Sequence, residues 1–277
     1  MTLLLFERRN DGPVLGRFPR NRFCLITAAF ISLVAVVASA AGLESGERSQ
    51  IFARGLEAFD ASTTPDDYRQ SAAIWESLLV DGYRNGAVLY NIGNAYVRAG
   101  DYGKAIAAYR KGRPLRPRDP YLDANLRHAI AVAPGRLAES PPPWWTHVLF
   151  WSGWIAYPTK FTLAISVWVT AAGLAILALL AQWHRGYWIS SMLVLIAIML
   201  TVEAGIALVE VEWSHRAIVT SETVARKGIG KDYEPAFDQP LKDGAEFTIL
   251  SENGDWLLGH FAGIGDGWLR KDHVARM

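Results

Sequence analysis

The chain has 277 residues, with 28 Lys or Arg against 27 Asp or Glu and a single cysteine, Cys24. The near-zero net charge argues against a nucleic-acid-binding protein, and one cysteine excludes both an internal disulfide and a cysteine metal cluster. Half of the residues (51%) are hydrophobic, which is high for a soluble domain and indicates membrane segments.

The N-terminal segment has the pattern of an export signal. Three arginines within 17–22 precede an apolar stretch over 23–37, and Ala-Ser-Ala follows at 38–40. These are the three parts of a secretory signal peptide, so we expect residues 1–40 to be a signal segment that is cleaved after Ala40. The alternative is an uncleaved anchor, because the apolar stretch is almost long enough to span a membrane.

Residues 44–134 carry a helical pattern that recurs at an offset of 34, which places Asn91 over Asn125. The segment 89–117 follows the tetratricopeptide pattern of helical hairpins. Gly100 and the residue after it are typical of a helix end followed by a helix start. The region therefore predicts an α-helical tetratricopeptide-repeat (TPR) solenoid of about five helices.

The first helix of each predicted hairpin supplies a candidate peptide-binding groove. Asn91 and Asn94 are three residues apart and share one helix face, and Asn125 and His128 take the equivalent places one repeat later. Arg54 takes the corresponding place in the first hairpin. Side-chain amides both donate and accept hydrogen bonds, which suits the backbone of an extended peptide. The alternative is that these side chains are solvated or bridge neighbouring helices.

Two apolar segments, within residues 161–209, predict a two-helix transmembrane hairpin, because each is long enough to span and only a few residues join them. The preceding Pro/Trp-rich linker, 141–158, predicts a short helix in the membrane interface or a loop folded against the repeats. Glu203 lies in the second apolar segment. Its carboxylate fits either a polar contact to another membrane protein or a position at the headgroups.

The pattern changes to short alternating strands over 215–277, including one at 222–226 and a strong hairpin signal at Gly254. Five short strands in this space predict a small all-β barrel, and their order resembles that of a bacterial SH3-like domain. Four aromatic side chains form a candidate ligand surface on it: Tyr233, Phe237, Trp256 and Trp268. The alternative is that at least one tryptophan belongs to the core.

The predicted fold class is thus multidomain: a TPR solenoid, a transmembrane hairpin and an SH3-like barrel. This order resembles the BatE-type proteins of the bacterial aerotolerance (Bat) operon, and residues 90–96 with Gly100-Asp101 are similar to the repeat of that family. The resemblance covers nearly all of the chain after residue 40. It implies partners among membrane proteins with von Willebrand factor A domains and other Bat-type components, and a role in envelope-protein assembly or in stress or oxygen tolerance.

The functional prediction is a non-catalytic scaffold or adaptor in the bacterial inner membrane, with the helical and β parts on the periplasmic side. No serine-hydrolase, zinc-protease, phosphate-loop or Cys/His motif occurs in the sequence, so we expect neither enzymatic activity nor a metal or cofactor. The alternative is a peptidoglycan-binding sensor or tether that acts through the β module.

Overall fold

The computed structural model describes residues 46–137, 151–212 and 215–277. The predicted signal segment with Cys24 and most of the Pro/Trp-rich linker lie outside the described residues. Helices α1 to α7 occupy 46–61, Pro65–Glu76, Gly86–Ala99, Tyr102–Gly112, Pro120–Val132, Tyr157–Leu180 and His184–Glu212. Strands β1 to β5 occupy Arg216–Val219, Glu246–Asn253, Trp256–Phe261, Gly265–Arg270 and Val274–Arg276, and 3-10 turns lie at Ser77–Gly82, Ser152–Trp154 and Lys271–His273.

Local sequence sets the ends of the helices in the first half. Thr64 and Asp67 form a reciprocal capping box at the start of α2. The side chains of Asn85 and Asp119 accept backbone N–H groups at the starts of α3 and α5. Gly100 ends α3 in the left-handed region, at φ +81°, which confirms the predicted helix end.

Each of α2 to α4 packs against the next helix in the chain, and glycines let large rings enter the core. Tyr109 is fully buried over Gly93, where an added Cβ would lie 2.4 Å from the ring. Trp75 is fully buried over Gly55 in the same way. Its indole N–H donates to the Phe52 carbonyl at 3.2 Å. At these two helix crossings, therefore, a large ring packs directly on the backbone of a glycine.

The predicted TPR solenoid is wrong. In a solenoid, each repeat contacts only its neighbours in the array. Here α4 packs against β1 and β5, and Ile218, Ala275 and Met277 join the hydrophobic core of the helices. The sheet thus completes the hydrophobic core of the helical part. Residues 51–277 form one compact unit, so the multidomain prediction is wrong as well.

The predicted SH3-like barrel is also wrong, because the sheet is open. Its strands are antiparallel in the order β4-β3-β2-β1-β5, with β4 and β5 at opposite edges. Along β1, Ala217 and Val219 enter the core of the sheet while Ile218 enters the helical core. A helix thus covers the outer face of β1. The segment predicted as a strand at 222–226 makes only isolated bridges.

The two long helices, α6 and α7, are each long and apolar enough to cross a membrane. Only 17% and 22% of their most apolar windows are buried, so they are unlike the core helices of a soluble protein. Their mutual interface uses small residues seven apart, which lets helix axes approach closely. These residues are Ala164, Ala171 and Ala178 in α6 and Ser190, Ala197 and Ala204 in α7.

Candidate binding surfaces

A hydrogen-bond network crosses the surface formed by α3, α4 and α5, with Asn94 at its centre. The Tyr109 hydroxyl donates to Asn94 Oδ1 at 2.6 Å, and Asn125 Nδ2 donates to the same oxygen at 2.8 Å. Asn125 Nδ2 also lies 3.3 Å from the Tyr90 hydroxyl. Burial raises the pKa of Tyr109, which keeps its hydroxyl protonated and donating at neutral pH. Two of the predicted groove residues therefore bridge helices and hold each other in place.

The other predicted groove residues lie around this network. Asn91 is half-buried one turn before Asn94, and His128 is exposed one turn after Asn125. Within the described residues, neither side chain makes a hydrogen bond or ion pair. Arg54 is exposed on α1, and no described contact joins it to the network. The structure thus brings Asn94 and Asn125 together, places Asn91 and His128 beside them, and leaves Arg54 apart.

The sheet brings together two of its four predicted aromatic residues. Trp268 lies directly opposite Leu258 in the register of β3 and β4. Leu258 shares a face of β3 with Trp256, because side chains two apart point the same way. Both tryptophans are half-buried and lie outside the core cluster of the sheet, so they form part of its outer surface.

The remaining two aromatic residues are in different surroundings. Phe237 packs edge-on against buried Phe261, with ring centroids 5.6 Å apart, and so lies against the core. Tyr233 is 54% exposed in the loop before it. Arg226 links this loop to the tryptophan face, because its guanidinium donates to the Tyr233 carbonyl while its backbone pairs with Trp268. Phe237 is therefore a packing residue, whereas Tyr233 borders the tryptophan face.

The base of the hairpin formed by α6 and α7 is attached directly to the helical part. The first N–H groups of a helix lack partners within it, and the Tyr157 N–H at the start of α6 donates to the Pro114 carbonyl at 2.8 Å. At the end of α7, Glu212 pairs with Arg84 at 2.7 Å. Both ends of the hairpin thus contact the helical part.

The helical part is attached in turn to the sheet around Asp243. Its two carboxylate oxygens accept the Gly103 N–H at 3.0 and 3.1 Å, and its carbonyl accepts the Gly135 N–H at 2.8 Å. Burial raises the pKa of Asp243, while the Gly103 N–H opposes the rise. Nearby, Arg110 of α4 pairs with Glu246 of β2 at 2.9 Å.

A buried ion pair, which the sequence pattern did not indicate, joins α6 and α7. Lys160 Nζ lies 3.3 Å from Glu203 Oε1, and the side chains are only 8% and 3% exposed. The Trp151 indole N–H donates to Glu203 Oε2 at 3.2 Å. Glu203 therefore has partners within the chain, which differs from both alternatives expected for it, a contact to another membrane protein and a position at the headgroups. One signal was present, because Lys160 and Glu203 lie at nearly equal sequence distances from Gln182 in the hairpin turn.

No protein-family model, no curated protein and no solved structure matches the chain. Among the described residues, no three or more His, Cys, Asp or Glu side chains are grouped so that they could hold a metal ion. The surfaces available for assigning a function are thus the Asn94 network with its exposed border, the tryptophan face of the sheet and the surroundings of the hairpin base.

Proposed function

We propose that the chain is a non-catalytic, membrane-anchored adaptor whose helical surface binds a partner protein. The observation that carries this proposal is the continuous connection from the apolar helices to the sheet. The Tyr157–Pro114 and Arg84–Glu212 contacts join the hairpin to the helical part, and Asp243 joins the helical part to the sheet. Such a connection holds a binding surface at a fixed height above the membrane, as a scaffold requires.

The binding surface in this proposal is the exposed border of the Asn94 network. Asn94 and Asn125 make hydrogen bonds to each other and to tyrosine hydroxyls, so their role is to keep the surface rigid. Asn91 and His128 lie beside them and make no internal polar contact in the described part of the chain. Their side chains are the ones that can exchange water for the backbone of a partner with little cost to this chain.

The location and partners in this proposal follow from the resemblance to BatE-type proteins. We infer a bacterial inner-membrane protein with two spans and with its helical and β parts on the periplasmic side. The partners would be membrane proteins with von Willebrand factor A domains and other Bat-type components, and the process would be envelope-protein assembly or oxygen and stress tolerance.

Crosslinking of the full-length chain in its native membranes tests the binding surface. The informative variant is Asn91→Ala/His128→Ala, because it removes polar groups without breaking an internal hydrogen bond. Arg98→Ala, an exposed change near the end of α3, is the control. We expect the parent and the control to capture the same membrane proteins and the double variant to lose them. Equal capture by all three proteins would show that the helical surface at Asn91 and His128 does not bind the partner.

A second candidate function, a tether to peptidoglycan, is favoured by the shared face of Trp256 and Trp268. Half-buried aromatic rings on one outer face of a sheet are suited to stacking on sugars or on peptide stems. Pull-down with purified peptidoglycan would compare the full chain with Trp256→Ala/Trp268→Ala. Retention that depends on both tryptophans would favour the tether, and absence of retention by the parent would reject it.

A further inference from the structure

The turn between α4 and α5 concentrates positive charge. Four basic residues lie within eight positions, and no acidic residue lies among them: Lys111, Arg113, Arg116 and Arg118. Arg84 lies near this group. Its ion-pair partner Glu212 is at the end of α7, and Pro114 of the turn is hydrogen-bonded to Tyr157 at the start of α6, so both contacts are at the hairpin base. We call Arg113, Arg116 and Arg118 the basic turn.

The basic turn lies beside the place where the apolar helices end. The Pro114 carbonyl within the turn accepts the Tyr157 N–H, the first of α6. Arg118 lies over the Trp154 ring, 5.9 Å from its centroid, and Trp154 is 59% exposed. An exposed tryptophan next to a span is typical of the membrane–water boundary.

The length of α7 also places the membrane–water boundary at the level of Trp154 and the basic turn. From His184 to Glu203 the helix rises about 28 Å at about 1.5 Å per residue, which nearly equals the thickness of a hydrocarbon core of about 30 Å. The Lys160–Glu203 pair, only three residues into α6, therefore lies near the outer end of the apolar layer. Pro114, bonded at Tyr157, lies one helical turn further out, at the depth of lipid headgroups.

Acidic neighbours reduce the charge of the basic turn without cancelling it. Arg116 pairs with Asp119 at 2.5 Å, and Arg113 pairs with Asp123 at 3.3 Å. The Arg113 side chain remains 54% exposed and that of Arg116 38% exposed. A guanidinium has five N–H donors, so each arginine keeps donors for an anion after its ion pair is made.

We propose that the basic turn binds the phosphate groups of anionic phospholipids in the leaflet that surrounds the start of α6. This inference rests on the membrane-anchored part of the proposed function. Arginine forks match phosphate oxygens in pairs, and a negatively charged leaflet attracts basic residues next to a span. Binding there would fix the angle between the helical part and the membrane plane, because the turn and the first residue of α6 are hydrogen-bonded to each other.

Native mass spectrometry of the full chain in detergent, titrated with phosphatidylglycerol or with phosphatidylcholine, measures this preference. The test variant is Arg113→Gln/Arg116→Gln/Arg118→Gln. The matched control, Arg98→Gln/Lys104→Gln/Arg127→Gln, removes the same charge from other parts of α3, α4 and α5. Each arginine near a lipid surface contributes about fivefold in affinity. Since two of the three are partly neutralised, we expect the parent to prefer phosphatidylglycerol by about tenfold or more.

The proposal requires that the test variant loses this preference while the control retains it and both melt at the parental temperature. A parent without the preference, or a test variant that keeps it, would overturn the lipid site and leave the adaptor intact. Protection of the turn from hydrogen exchange in native membranes but not in phosphatidylglycerol nanodiscs would also overturn it, in favour of an acidic protein partner. Extraction of the chain from native membranes by alkaline carbonate would instead refute the anchoring.

Discussion

Replacing Gly103 by alanine tests whether the helical part and the sheet form one folding unit. An added Cβ would lie 2.3 Å from the Val219 carbonyl oxygen and 2.4 Å from Asp243 Oδ1. The first of these atoms is backbone, so it cannot move away by changing a rotamer. The methyl group must therefore push α4 away from β1 and lengthen the hydrogen bond from the Gly103 N–H to Asp243.

The size of the effect follows from three terms. Overpacking of this kind costs about 1–3 kcal/mol, and loss of a hydrogen bond to a charged group costs up to about 3 kcal/mol. The higher helix propensity of alanine offsets about 1 kcal/mol of this loss in the free energy of unfolding. We expect a net destabilisation of about 2–4 kcal/mol, which lowers the melting temperature by about 5–15 °C for a unit of this size.

The assay is thermal unfolding of the full chain in detergent, together with hydrogen exchange of the peptides that contain α4 and β1. Gly46→Ala, in α1, is the control, because an added Cβ there meets no described atom within 4 Å. We expect faster exchange in both peptides of the Gly103 variant and none of these changes in the control. A Gly103 variant that melts with the parent would refute the close approach of α4 to the sheet.

Three further predictions concern single polar groups. Tyr109→Phe removes a donor at 2.6 Å from Asn94 and should lower the free energy of unfolding by about 1–2 kcal/mol, measured by chemical denaturation. Because burial raises the pKa of Asp243 above its ordinary 3.8, this group loses stabilising effect as pH rises through its folded pKa. The melting temperature of Asp243→Asn should therefore rise relative to the parent as the pH increases from 3.8. Glu203→Gln leaves the buried Lys160 ammonium without its carboxylate and should cost about 3–5 kcal/mol, seen as a lower melting temperature in detergent.

Each of these predictions has a result that would contradict it. Unchanged unfolding of Tyr109→Phe would mean that water replaces the lost donor. A constant difference between Asp243→Asn and the parent across pH would show that this carboxyl is not desolvated. For the ion pair, Lys160→Met/Glu203→Gln should recover much of the lost stability, and additive losses in the double variant would mean that the two residues are not coupled.

The site residues show what the repeat pattern indicated and where it stopped. The offset of 34 placed Asn91 over Asn125 and Asn94 over His128, whereas the structure joins Asn125 to Asn94. The pattern could not indicate that Tyr109, buried from a third helix, would donate to Asn94. Which side chains remain available to a ligand depends on such contacts, and these are decided by packing rather than by spacing.

The same division applies to the β part. Alternation of apolar residues and the turn at Gly254 identified β2 and β3 correctly. Strand count alone suggested a closed barrel, because a short sheet must cover its apolar face. Here α4 supplies the cover for β1, so Ile218 is buried by helices and the sheet stays open.

The sequence by itself determined the features that depend on neighbours in the chain: the helix end at Gly100, the two long apolar helices and the turn between β2 and β3. Only the tertiary structure decided that the sheet closes the helical part at Gly103 and Asp243, and that Lys160 and Glu203 pair within the hairpin. Helix ends and apolar runs are set by local backbone and solvation energies. Contacts between distant segments depend on which surfaces pack together, and composition and spacing leave that choice open.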